Sequence, residues 1–384
     1  MILHSLSLRF AGFYGAVFLV LGVFLPYWPL WLAERGLSAV EIGWLLALTS
    51  WLRIATTPAL ASLADRSGHA KGVILALALV SLAGFATFAL ADGFWRLLAV
   101  QLVATSAFFA LLPVGESHSV GQLRRAGLDY GRVRLWGSLT FIVGALLAGE
   151  ASARVGAAPI LWLILIGLAI TFAAGLALPG RGAEPRSGPG LSEALSRLRR
   201  APRLLGLLLA GSLLQASHAA YYGFSTLAWT RAGHGEATIG WLWAEGVLLE
   251  VAFFAVSAAW LTRLKATGLL ILAGLAGILR WSVMASTTAL PALILAQGLH
   301  ALTFAAAHLA VIHLIAVLAP KGTAATTQGL YAALSGGLVM GLAALLAGWL
   351  FEHSQAVMFI AMAGFSLAGL VLAWTLRRET ISKG

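Results

Sequence analysis

The strongest constraint on this chain is a succession of long apolar stretches, each near the length that crosses a bilayer, separated by short polar breaks. Read in order, they place helices at 8–33, 41–63, 70–91, 94–119, 129–153 and 156–179, then at 203–230, 236–262, 267–287, 290–318, 322–350 and 354–376. A spanning helix uses about 20 apolar residues, so twelve spans take up nearly all of the 384 residues. Only 10% of residues are charged, against roughly 25% in soluble domains, too few to build a water-facing surface. Backbone in hydrocarbon must satisfy its own hydrogen bonds, so the expected fold class is all-α and integral to the membrane. The first stretch, Leu8 to Leu32, is too long for the apolar core of a signal peptide and is expected to remain as the first span.

One composition shift interrupts the pattern. Between Pro179 and Pro202 lie Arg181, Arg186, Arg197, Arg199 and Arg200. This divides the chain into a six-helix bundle at 1–180, a cytoplasmic linker at 181–202 and a second six-helix bundle at 203–384. Such a division suggests two related halves with pseudo-two-fold symmetry, working by alternating access around a midplane cavity.

A net charge of +11 would suggest nucleic acid in a soluble protein. Here the cations follow alternate loops instead. With the N-terminus inside, the inner side holds 19 Lys and Arg, and the outer side 4: Arg35, Arg96, Arg154 and Arg231. That asymmetry places both termini in the cytoplasm and the chain in the inner (plasma) membrane, with lipid as its surroundings and no nucleic acid partner. Cysteine is absent, which excludes disulfides and thiol chemistry. There is no HExxH, GxSxG or GxxxxGK[ST], and His300, His308 and His313 lack the spacing of a helical metal pair. No enzyme activity, metal or cofactor is expected.

The two remaining cations, Arg53 and Arg280, fall inside apolar spans. A charge at the bilayer centre costs about 2.5–3.5 kcal/mol even on the gentler scale, and such residues mark solute or proton paths. At about 1.5 Å per residue, Arg53 lies near the midplane of span 2. His218, Glu250, Arg280 and His300 form one central layer in spans 7 to 10. Gln297 shares the face of His300, whereas Glu245 points elsewhere than Glu250. Tyr221, Tyr222, Phe224 and Trp229 suit an aromatic cavity or plain packing. A fixed Glu250–Arg280 ion pair joining spans 8 and 9 is the purely structural reading of the same residues. Glu116 and Arg134 reach similar depth at the inner ends of spans 4 and 5. The turn containing Asp65, Arg66 and Gly68 is a candidate gate that closes by pairing with neighbouring helix ends. Gly336, Gly337, Gly341 and Gly348 permit close helix contact, and Pro26, Pro29 and Pro58 are expected to bend spans 1 and 2.

These residues resemble the major facilitator superfamily, and within it the phenylpropionic acid permease group, related to lactose permease. Asp65-Arg66-Ser67-Gly68 is similar to the superfamily's loop motif, with Ala61 in place of its leading glycine and Ala70 in place of a basic residue. More specific are DYGRVRLWGS at 129–138, LLQASHAAYYGFS at 213–225, and Arg280-Trp281 through TTALP at 287–291. The resemblance implies substrate-site roles for Arg134 and Glu116, and a proton-coupling network of Glu250, Arg280 and His300. Thr303 stands where lactose permease has an acid, so coupling falls to Glu250 or Glu116. The implied function is a monomeric proton symporter importing a small aromatic carboxylate, with Arg53, Glu116, Arg134, His218, Tyr222, Arg280 and Gln297 as candidate substrate residues. The alternatives are a proton-coupled sugar or nucleoside permease, or a non-transporting membrane sensor or assembly factor of the same fold.

Overall fold

The computed structural model describes residues 2–180, 201–320 and 322–381, with side chains for 5–180, 201–320 and 322–376. The expected linker, apart from its last two residues, lies outside the described residues. Helices α1 (Ile2–Glu34), α2 (Ala39–Ser67), α3 (Ala70–Thr87), α4 (Phe94–Arg125), α5 (Tyr130–Val155) and α6 (Ala158–Ala177) come first. Then follow α7 (Pro202–Ala216), α8 (Ala219–Arg231), α9 (Glu236–Ser286), α10 (Leu290–Gly298), α11 (Ala307–Leu318), α12 (Ala324–Ala332), α13 (Met340–His353) and α14 (Gln355–Ile381). Two π-helical turns, Ala301–Ala306 and Ala333–Val339, join α10 to α11 and α12 to α13.

Among the described residues, ten helical stretches are long and apolar enough to cross a membrane. One of them, α9, has 51 residues, about 76 Å at 1.5 Å per residue and so enough for two crossings of a core about 30 Å thick. The loop expected at 263–266 is reduced to a single non-helical residue, Lys265, at φ 56° and ψ 167°. With 29 residues, α2 is also long enough to cross, but Arg53 and its polar neighbours leave it outside the ten. Counting α2 and both arms of α9 reconciles ten stretches with the twelve spans expected.

Packing divides the chain into two units: the described residues of Met1–Arg186 with Ser225–Ala244, and those of Ser187–Phe224 with Glu245–Gly384. In the first, α1 is central. A Cβ at Gly22 would collide with the backbone of Phe141, and one at Gly144 with the carbonyl of Leu19. Small residues let α1 and α5 touch backbone to backbone where no hydrophobic driving force exists in lipid. The C-terminal part of α1 carries an aromatic stack: Trp28 lies on Trp31 at 4.7 Å and donates its indole N–H to Gln101 Oε1 at 2.9 Å. The Tyr27 hydroxyl donates to the carbonyl of Glu236 at 2.8 Å, fastening α1 to the start of α9. In the second unit, Leu204, Leu207 and Leu208 of α7 pack with Leu269 and Leu270 of α9 and Val311 and Ile315 of α11. Gly336 does not serve close contact as expected: open space faces its Cα, within the second π turn.

Candidate functional site

Each unit carries its own polar cluster. In the first, Asp129 caps α5 by accepting from the N–H groups of Gly131 at 2.7 Å and Arg132 at 3.3 Å. That cap starts the helix and sets Arg134 in its first turns. The Arg134 guanidinium lies 3.8 Å over the Phe18 ring, and its Nε is 3.9 Å from Glu116 Oε1. Glu116 also accepts from the Tyr130 hydroxyl at 3.0 Å, and Tyr14 bonds Ser119 at 2.6 Å. A Cβ at Gly137 would stand 2.9 Å from Phe18 and 3.1 Å from Arg134 Nη1, so only glycine leaves the guanidinium lying flat on the ring. This cluster is open: the Arg134 side chain is 27% exposed and that of Glu116 40%.

Arg53 belongs to the same unit. Its guanidinium sits 3.9 Å over the Phe109 ring, and its Nε is buried without a hydrogen-bond partner. Among the described residues no carboxylate lies within ion-pair distance of it. A half-buried cation held by an aromatic face and lacking a counter-charge is short of an anion.

The proposed gating turn sits at the end of α2. Gly68 takes φ 66°, the left-handed cap that ends a helix. Asp65 accepts from Ser117 of α4 at 2.9 Å, while Arg66 is exposed. Lys71 reaches the carbonyl of Leu176 at 2.7 Å, and His118 approaches that of Pro179 at 3.0 Å.

In the second unit Arg280 is fully buried. Its Nη1 donates to His300 Nδ1 at 2.9 Å and Thr303 Oγ1 at 3.0 Å, and its Nη2 to Gln297 Oε1 at 2.7 Å. Tyr221 and Trp281 cover it with their rings at 4.7 and 4.6 Å. Every acceptor is neutral. Glu250 meets His300 instead, with Oε2 3.9 Å from Nε2, so the ion pair considered between Glu250 and Arg280 is replaced by a histidine standing between them. His218 is buried behind Thr303, its Nε2 3.1 Å from the hydroxyl, and Tyr222 stacks on its ring at 5.8 Å.

The aromatic group, readable as cavity wall or as packing, is packed at three of its four rings. Tyr221 packs over Arg280, Phe224 against Phe351 at 5.3 Å, and both are buried, as is Trp229. These rings are consumed by packing, and Tyr222 alone of the four keeps partial exposure. His308 and His313 are exposed on α11, away from the cluster. In the sequence Thr303 stands out only as the place of a missing acid and Trp281 only within a motif. Ser217, which accepts the Trp281 indole N–H at 3.1 Å, is passed over, and Phe18, Phe109, Tyr130 and Gly137 of the other unit are given no role. Thr303 carried a signal, three residues beyond His300 as Gln297 is three before.

A multi-pass helical membrane protein in two units, each with buried or half-buried ionisable residues at membrane depth, is built as a transporter and not as an enzyme. The MFS_1 like family matches residues 7–361, and the chain belongs to it. It is 33% identical over 378 residues to the "Probable 3-phenylpropionic acid transporter" of Escherichia coli (strain K12), covering 97% of this chain and 98% of that one. It is 29% identical over 355 residues to the maltose permease of Geobacillus stearothermophilus, covering 90% and 88%. The crystal structure of the nucleoside transporter NupG shares the fold at a TM-score of 0.78 and 16% identity, with 97% of this chain and 98% of that chain covered.

Proposed function

We propose that the protein is a proton symporter that imports a small aromatic carboxylate of the phenylpropionate kind. The single observation carrying this reading is Arg53: a desolvated guanidinium on an aromatic face with no carboxylate of its own. A substrate carboxylate would supply the missing charge, and Arg134 on Phe18 offers a second cation in the same unit, already shared with Glu116. The rings of Phe109 and Phe18 give an aryl substrate apolar surface beside each cation. Arg280 is sealed by rings and neutral acceptors, so its unit is assigned the proton, with Glu250 and its neighbour His300 as carriers. The relative in Escherichia coli supports the substrate class. We further place the working monomer in the plasma membrane with both termini cytoplasmic.

A neutral sugar is the second reading, drawn from the maltose permease relative. A thermal-shift series with the purified protein against aromatic acids, sugars and nucleosides separates the two. A ligand at a hundred times its Kd stabilises the folded state by about 2.7 kcal/mol. The expected result is stabilisation by 3-phenylpropionate that Arg53→Gln removes. Stabilisation by maltose with no response to any carboxylate would overturn the anion reading.

A further inference from the structure

The hydrogen-bond directions in the buried cluster are dictated from its two ends. Arginine only donates and a carbonyl only accepts. His300 Nδ1 faces Arg280 Nη1 at 2.9 Å, so this nitrogen holds a lone pair, and the ring's hydrogen is on Nε2, toward Glu250. His218 Nδ1 faces the carbonyl of Gln215 at 3.1 Å, so here the hydrogen is on Nδ1. The Thr303 hydroxyl has two acceptors in reach, His218 Nε2 at 3.1 Å and the His300 carbonyl at 3.2 Å; we assign its hydrogen to Nε2, which in the neutral ring needs a donor. The Thr303 oxygen is left with its lone pairs for Arg280 at 3.0 Å.

We propose that His218 is a positioning residue for proton coupling: as the neutral Nδ1–H tautomer it aims the Thr303 hydroxyl, which latches Arg280 onto His300 and keeps it off Glu250. Groups facing the His218 ring are Arg280 from α9, His300 just before the first π turn at 5.7 Å between ring centroids, and Tyr222 of α8. The break between α7 and α8 falls at Ser217 and His218, where the Gln215 carbonyl accepts from the His218 backbone N–H at 3.1 Å and has a second lone pair for the ring Nδ1–H. A second proton on His218 would turn Nε2 into a donor. Thr303 would then face two cationic donors, its hydrogen turned to the His300 carbonyl 3.2 Å away, and repulsion between imidazolium and guanidinium would push Arg280 out. The latch therefore works only while His218 stays neutral. No proton passes through it, because Arg280 ends the relay at His300. This inference rests on the proton reading above for its purpose, but its geometry is testable alone.

The test uses the full chain, labelled with 15N-histidine and held in lipid nanodiscs, with signals assigned by His218→Gln and His300→Gln. At neutral pH the expected spectrum shows His218 protonated on Nδ1 and His300 on Nε2, both neutral. The opposite tautomer or an imidazolium at either residue overturns the latch, whatever the transport data say. In proteoliposomes, His218→Gln is expected to keep accumulation, since its amide accepts from Thr303 and donates to Gln215 as the imidazole does. His218→Leu and Thr303→Val should each lose accumulation at least about tenfold, the worth of a hydrogen bond to a charged group. Monodisperse elution of both in detergent is the folding control, and Thr303→Ser should restore accumulation. Failure of His218→Gln alongside His218→Leu would mean that the imidazole itself carries the proton, and would overturn the positioning role. Failure of the unaltered protein to respond to a pH gradient would remove the symport reading and leave the latch to the spectrum.

Discussion

A guanidinium taken out of water needs an acceptor for its N–H groups or an opposing charge, and the arginines of this protein meet that need in three ways. Arg280 has three neutral acceptors and two aromatic faces, with its Nε left unpartnered, Arg134 has a carboxylate at 3.9 Å and two faces, and Arg53 has one face and an unpartnered Nε. The differences assign their work. Removing the Arg53 charge should weaken carboxylate binding by about 10- to 100-fold, a charged hydrogen bond's worth, measured by titration of the thermal shift. Gly137 acts by leaving space. Gly137→Ala should lift Arg134 off Phe18 and destabilise the protein by about 1–3 kcal/mol, the usual cost of overpacking. Unfolding in detergent together with 3-phenylpropionate titration would check it; unchanged stability and affinity would mean that the flat guanidinium is unnecessary.

At the scale of elements, the ends of helices carry the most local information. Ser38 and Glu41 form a reciprocal cap on α2, with the Glu41 N–H donating to Ser38 Oγ at 3.2 Å and the Ser38 N–H to Glu41 Oε2 at 2.8 Å. Ser38→Ala should cost about 1 kcal/mol, read as a lower Tm. Lys265 is the reverse case, a side chain at a positive φ that costs on the order of 1–3 kcal/mol and suits glycine better. Lys265→Gly should therefore raise Tm or leave it level, while Lys265→Val lowers it. The spans themselves were legible in the sequence because hydropathy reports burial in lipid directly, and Arg280, His300 and Gln297 were legible because charge at that depth is costly. What hydropathy lacks is azimuth. Glu250 and Arg280 lie on opposite arms of α9 across Lys265, and no periodicity carries through that residue, so the histidine between them was not foreseeable. Thr303 joins the cluster from a π turn, where five-residue hydrogen bonding shifts side chains from their α-helical faces. Tyr221 and Phe224 were candidates for a solute wall, but composition cannot tell a ring facing a cavity from one covering a guanidinium.

At the scale of the whole molecule, labour is divided: one unit offers Arg53 without a carboxylate and Arg134 shared with Glu116, the other Glu250 beside a network in which Arg280 donates to neutral acceptors. The absence of cysteine makes orientation easy to test. Single cysteines at the exposed positions Arg124 and Glu352 should label from opposite sides of the membrane with impermeant reagents, Arg124→Cys from the cytoplasm. Labelling of both from one side would contradict the arrangement read from the loop cations. The central claim, proton-driven uptake, meets its most direct test in proteoliposomes with an imposed pH gradient, acid outside, and radiolabelled 3-phenylpropionate. The unaltered protein is predicted to accumulate the acid above its outside concentration and to lose that accumulation when a protonophore collapses the gradient, while Glu250→Gln exchanges the acid across the membrane without concentrating it. Accumulation by Glu250→Gln equal to that of the unaltered protein, or uptake indifferent to the gradient, would contradict the account.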